Sequence, residues 1–146
     1  MPRTPLVLIA VVVCVALLGI AAPSAEASPT RMEKRLVARI NDTRAAHGMR
    51  RVRIGSRLSR AAHRWAVYLL QADAFYHGRL AAGTSEIIAW GTCSYMYPRK
   101  AVRMWLASSS HRPYLLDRSA HNVGTGWARG AWRGYSCVEM AVARFR

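Results

Sequence analysis

Three residues carry the best prospect of chemistry in this chain. They are His77, closing Phe75-Tyr76-His77-Gly78; His111, inside Trp105-Leu106-Ala107-Ser108-Ser109-Ser110-His111-Arg112; and Glu86, between them. Imidazole and carboxylate hold divalent metals and move protons near neutral pH, so a cleft that gathered all three would be a site. Two neutral imidazoles plus Glu86 would give Zn(2+), or another divalent metal, three ligands with water in the fourth position. Such water is acidified toward neutrality and can attack a carbonyl. That reading is a metal-dependent, peptidase-like hydrolase, with His77, Glu86 and His111 as catalytic residues and His77 and His111 as metal ligands. Each histidine also has a structural reading: His77 bonding a backbone carbonyl at a helix end, and His111 fixing a turn. Ser108, Ser109 and Ser110 precede His111 where serines more often serve as helix caps than as nucleophiles.

Helices must supply most of the positioning. Thr30-Arg31-Met32-Glu33 has capping-box spacing and opens a first helix with Leu36, Val37, Ile40 and Arg44 on neighbouring turns, stopped near Gly48. A basic connector, Arg50 to Ser56, leads into a second helix. There Leu58, Ala61, Ala62, Trp65, Ala66 and Leu69 recur at helical spacing and mark a core stripe. Ala82-Gly83-Thr84-Ser85 is a turn or loop, and Glu86 to Trp90 reads as a short extended segment. Pro98 suits the first turn of a third helix carrying Ala101, Val102, Trp105 and Leu106. His121 to Trp127 reads as a strand, Arg129 to Gly134 as a turn and Tyr135 to Phe145 as the closing strand of an antiparallel hairpin. Helices first and a hairpin last predict an α+β domain.

The N-terminus carries Arg3, an uncharged apolar run from Leu6 to Ala22, then Ala25-Glu26-Ala27. This is the pattern of a secretory signal peptide, residues 1–27. The apolar run of about 17 residues lies at the short limit for a membrane span and meets Pro23 at once. The remainder divides into a short linker and helix start, residues 28–35, and one domain, residues 36–146, expected to be a monomer outside the cell with no membrane span. Export leaves Cys93 and Cys137 as an even pair in an oxidising compartment, where a disulfide closing about 45 residues contributes about 4 kcal/mol in the chain-entropy model. A metal site using both thiolates would lack the usual short Cys-x-x-Cys spacing.

With 22 Lys and Arg against 7 Asp and Glu, the formal net charge is +15. A field of that sign attracts polyanions, and in an exported protein it favours anionic lipid headgroups or acidic cell-envelope polymers. No nucleic-acid module signature accompanies it, so no nucleic-acid partner is expected. The alternative is a solvated surface in which arginine was simply chosen over lysine. Trp90, Trp105 and Trp127 read as core, and Trp132, set in the expected turn, as an exposed contact.

Taken in order, several segments resemble the CAP superfamily, shared by cysteine-rich secretory proteins, antigen 5 and plant pathogenesis-related 1 proteins, and especially its short bacterial members. The carriers are Ile40-Asn41-Asp42-Thr43-Arg44-Ala45, Leu58 with Ala61-Ala62, and Phe75-Tyr76-His77. Further on they are Trp105-Leu106-Ala107-Ser108, His111-Arg112-Pro113-Tyr114-Leu115-Leu116 and Asn122-Val123-Gly124-Thr125-Gly126. The resemblance implies an α-β-α sandwich, with helices packed around a central antiparallel sheet, and a cleft where His77 and His111 converge. This chain departs from it in two places. Ser85-Glu86-Ile87 stands where relatives show Gly-Glu-Asn, and no acid lies between Tyr95 and His111, so a full His, Glu, Glu, His set is not expected. Glu139 is the only acid in the closing strand. The resemblance favours a binding scaffold over an enzyme, because the family shares no single reaction.

Overall fold

A computed structural model describes residues 29–146; the expected signal peptide lies outside the described residues. In chain order the elements are α1 (Arg31–Ala46), β1 (Arg53–Ile54), α2 (Ser56–Gln71), β2 (Ser85–Thr92), α3 (Pro98–Ala107), α4 (Arg112–Leu115), β3 (Asn122–Trp132) and β4 (Tyr135–Phe145). One four-stranded sheet runs β1-β3-β4-β2. Its three long strands are antiparallel, while β1 pairs parallel to the start of β3, so the sheet is mixed rather than wholly antiparallel. The basic connector carries no strand signal in its sequence, yet two of its residues pair with the start of the β3 edge.

Alternation along the strands builds two cores. Ile87 and Ala89 of β2, Val123 and Trp127 of β3, and Ala141, Ala143 and Phe145 of β4 face Leu36, Val37 and Ile40 of α1 and Ala101, Val102 and Trp105 of α3. On the other face, Ile88, Ala128, Val138, Met140 and Val142 pack against Ala62, Ala66 and Leu69 of α2. The result is an α-β-α sandwich. Full burial of each such Leu, Ile or Val is worth roughly 1.5–3 kcal/mol. Helix α2 lies almost on the backbone of β3: a Cβ at Gly124 or Gly126 would stand 2.1 Å from the Leu58 carbonyl carbon or 2.2 Å from the Ala62 carbonyl oxygen. The Gly-x-Gly of β3 and the Ala-Ala of α2 thus have one cause, close approach of helix and strand.

Local signals set several boundaries. Thr30 and Glu33 form the reciprocal capping box, with Thr30 N donating to Glu33 Oε2 at 2.6 Å. Pro98 opens α3. Arg44, buried on α1, donates to the carbonyls of Arg50, Leu115 and Asp117, each at 2.9 Å. It thereby pins the connector and the end of α4 to the first helix.

The hairpin needs a correction. Strand β3 continues through Trp132, which pairs with Tyr135, and the turn is only Arg133-Gly134, at φ 47° and 80°. Positive φ at both central residues suits the twist of a tight hairpin. Trp132 is therefore not an exposed contact. It is 3% exposed, packed against Trp90 with ring centroids 4.7 Å apart and against Phe75 at 6.3 Å. Cys93 and Cys137 form the expected disulfide at the far end of the β2–β4 ladder.

Candidate functional site

The chain brings His77, Glu86 and His111 to one place. Glu86, the second residue of β2, lies on the face turned toward α2, directly opposite Arg144 near the end of β4. His77 hangs from the segment joining α2 to β2, and His111 caps the short helix α4. The two imidazole centroids are 6.1 Å apart, with ring planes at 61°. His111 N donates to Ser108 Oγ at 3.3 Å, and Ser108 and Ser110 hydroxyls pair at 3.0 Å. Ser108 and Ser110 thus cap a turn.

Glu86 is the hub. It is 3% exposed, and both oxygens are engaged: Oε1 accepts from Gly78 N at 2.9 Å and pairs with His77 Nδ1 at 3.1 Å, while Oε2 accepts from Arg144 Nε at 2.7 Å. An ionised carboxylate only accepts, so the pairing puts the proton of His77 on Nδ1 and leaves the Nε2 lone pair open. Burial first, and the neighbouring His77 second, push the His111 pKa down, so His111 is neutral at neutral pH. The cleft thus offers two imidazoles, His111 kept neutral by burial and His77 oriented by a buried carboxylate.

Arg144 has no part in the sequence reading, although an arginine interrupting the apolar run Met140 to Phe145 is its signal. Its guanidinium also lies 5.9 Å from the Trp65 ring. Trp65 stacks on Tyr68, and the Tyr68 and Tyr76 hydroxyls pair at 2.9 Å, so an aromatic wall stands behind the cleft. Gly78 is required by closeness: a Cβ there would lie 2.6 Å from an Arg144 guanidinium nitrogen and 3.1 Å from the Trp65 ring.

Glu139 does not complete a tetrad. It lies on the opposite face of the sheet, where it binds the Trp127 indole N–H and Arg129, with Nε at 2.7 Å. Among the described residues no group of three or more His, Cys, Asp or Glu stands where it could hold a metal. His77 Nε2 and His111 fit a two-imidazole contact to a metal, with Glu86 orienting His77 from behind. A third ligand from Glu86 would compete with the bonds this carboxylate makes to Gly78, His77 and Arg144.

His63 has a structural role: its Nδ1 pairs with buried Glu33 at 2.7 Å. His47 bonds the Thr43 carbonyl at 2.8 Å, and Asp73 Oδ1 accepts from Arg133 N at 2.8 Å, tying the end of α2 to the hairpin turn.

No curated protein matches the chain. Among solved structures, it is similar to an outer surface protein of Borrelia burgdorferi, with a TM-score of 0.63 and 20% identity over 82% of this chain and 94% of that one. It is similar to MpPR-1i, at 0.58 and 19% over 81% and 88%. It is also similar to a cysteine-rich secretory protein of Staphylococcus aureus, at 0.53 and 17%, which covers 78% of this chain but 38% of that longer one. At these identities the likeness is one of fold. The sequence profile of the cysteine-rich secretory protein family, CAP, matches residues 37–143, a span that begins in α1 and ends in β4 with both histidines, Glu86 and the disulfide inside it. The chain belongs to the CAP family.

Proposed function

We propose that this protein is a secreted binding scaffold. Its His77–His111 cleft contacts a divalent metal or a small ligand, and its basic surface engages anionic envelope polymers or lipids. One observation carries the choice of scaffold over hydrolase: both oxygens of Glu86 are spent on Arg144, Gly78 and His77. A carboxylate held this way, and buried, positions an imidazole rather than reaching a water in the cleft. Nor does any serine near His111 have the His partner that nucleophilic catalysis needs. Export agrees with the family, whose members are generally secreted, and with a disulfide, a bond that oxidising compartments favour. The net charge of +15 supports the anionic partner.

The test uses purified mature protein and its His77→Ala, His111→Ala double variant. The expected result is zinc binding by the wild type that is lost in the variant, with salt-sensitive binding to vesicles containing anionic lipid, or to an acidic wall polymer, retained by both. Peptide hydrolysis by the wild type that disappears in the variant would replace the scaffold reading with the enzymatic one.

A further inference from the structure

The strongest unassigned feature lies at the other edge of the sheet, where the 48–53 connector meets the 118–122 turn. Two adjoining concavities of about 270 and 420 Å³ share Arg50 and His121 as a common wall. Arg118 lines the first, and Arg51, Arg53 and Asn122 line the second. Four arginines and one histidine therefore line these two adjoining hollows. They sit beside β1, whereas His77 and Glu86 sit beside β2 at the opposite edge.

Two acids stand against that charge: Asp42 is shared between Arg39 at 3.4 Å and Arg51 at 3.5 Å, and Asp117, which accepts from Ser119 at 2.8 and 2.7 Å, acts electrostatically on buried Arg44. Arg53 and Arg118 are exposed and pair with no acid among the described residues. Arg50 donates to His121 Nδ1 at 2.7 Å. A guanidinium has no acceptor, so Nδ1 accepts and the His121 proton sits on Nε2, adding another donor to the wall. The fold itself sets this spacing: Arg53 is paired in register with Asn122, and Arg44 holds the carbonyls of Arg50 and Asp117.

Planar guanidinium forks match phosphate oxygens in pairs, and two joined hollows with donors on every side suit more than one phosphate. The lining contains no Trp, Tyr or Phe, so the large aromatic platforms that reward nucleobase stacking are missing and the donors dominate over the flat faces of the guanidinium groups and His121. We propose that the Arg50–Arg51–Arg53–Arg118–His121 hollow is a second binding site, for consecutive phosphates of a base-free phosphodiester or polyphosphate chain. The site rests on the anionic-partner reading above and gives it a location.

The experiment measures binding of poly(glycerol phosphate), inorganic polyphosphate and a single-stranded oligonucleotide of equal phosphate count across a salt series. The proteins are the wild type, Arg53→Gln/Arg118→Gln, a charge-matched Arg35→Gln/Arg99→Gln control placed on α1 and α3, and the His77→Ala/His111→Ala variant. Unchanged melting temperatures certify the folds. The Arg53/Arg118 variant is expected to bind the base-free polymers at least tenfold more weakly, with a salt slope shallower by about 1.4 for two lost phosphate contacts. The control should lose less than threefold and the histidine variant nothing. Tighter binding of one base-free polymer than the other identifies the linkage preferred within the same chemistry. Equal loss in both arginine variants would overturn the site, leaving only diffuse attraction, and tighter binding of the oligonucleotide would overturn the ligand class. If the wild type binds no polyanion or anionic vesicle, the scaffold reading fails along with this one; an effect spread evenly over both arginine variants sinks this one alone.

Discussion

The β2–β4 ladder is fastened at both ends, by opposite means. At one end Glu86 faces Arg144, and their buried ion pair is shared with Gly78 and His77. At the other, just beyond the Thr92–Val138 pair, Cys93 and Cys137 close a covalent clamp. The clamp adds strength without presenting any polar group to a ligand. The ion pair leaves an imidazole half in solvent with one lone pair free, at the expense of burying two charges. Removing water from both charges largely cancels their attraction, so such a pair stabilises mainly by what its loss would leave stranded. One end of the ladder is therefore built for permanence and the other for contact.

Opening the clamp should have the largest effect. With a separation of 44 residues, Cys93→Ser/Cys137→Ser, or reduction, is expected to remove about 4 kcal/mol of stability, read from urea midpoints with and without reductant. Under native conditions the ring signals of His77 and His111 should keep their chemical shifts, since the intervening ladder holds the cleft. Shifts that move on reduction would mean that the two ends are not independent.

Breaking the ionic end comes next. Glu86→Gln strands the Arg144 guanidinium, only 11% exposed, without its counter-charge, and a loss of about 3 kcal/mol is expected. Adding Arg144→Met should return part of that loss, because the stranded charge goes with it, while His77 still loses its orientation. If the double variant is no more stable than Glu86→Gln alone, the loss comes from the carboxylate's bonds to Gly78 and His77 rather than from the buried charge. The same contrast exists inside the molecule. Glu33 is equally buried but holds His63 together with the backbone N–H groups of Thr30 and Trp127, with no arginine to strand among the described residues.

What can be read from the chain follows from the range of each interaction. The capping box at Thr30, the α2 stripe and Pro98 act within one or two helical turns, and each marks its helix correctly. The cysteine pair needs only the compartment. Arg144 cannot be assigned a partner, because its meeting with Glu86 depends on register between strands 58 positions apart, which sequence periodicity does not encode. Trp132 misleads for a related reason: beside Arg133-Gly134 it looks like turn, and only the packing of Trp90 and Phe75 from elsewhere in the chain buries it. Glu139 shows the same limit, since alternation groups it with Ala141 but says nothing of which layer that face meets. The approach of His77 to His111 is implied by family resemblance alone; the loop and the short helix that carry them have no pattern of their own.

The smallest predicted effect probes the contact end most directly. Burial and the nearby His77 both disfavour the charged form of His111, so its folded pKa lies below the ordinary value of about 6.5. The unfolded chain then takes up this proton first. Stability should be insensitive to His111 above that range and should decline as the pH falls through it, the reverse of a histidine that gains an acidic partner. NMR titration of the ring should show a depressed midpoint, and His77→Ala should raise it part of the way back, because burial, the larger cause, remains. A midpoint unmoved by His77→Ala would mean that the two rings do not sense each other's charge, and the cleft would hold two separate imidazoles instead of one site. A shift of the expected size would leave the ladder with a proton-sensitive end and a reductant-sensitive end, separated by the eight strand pairs from Ser85 to Thr92.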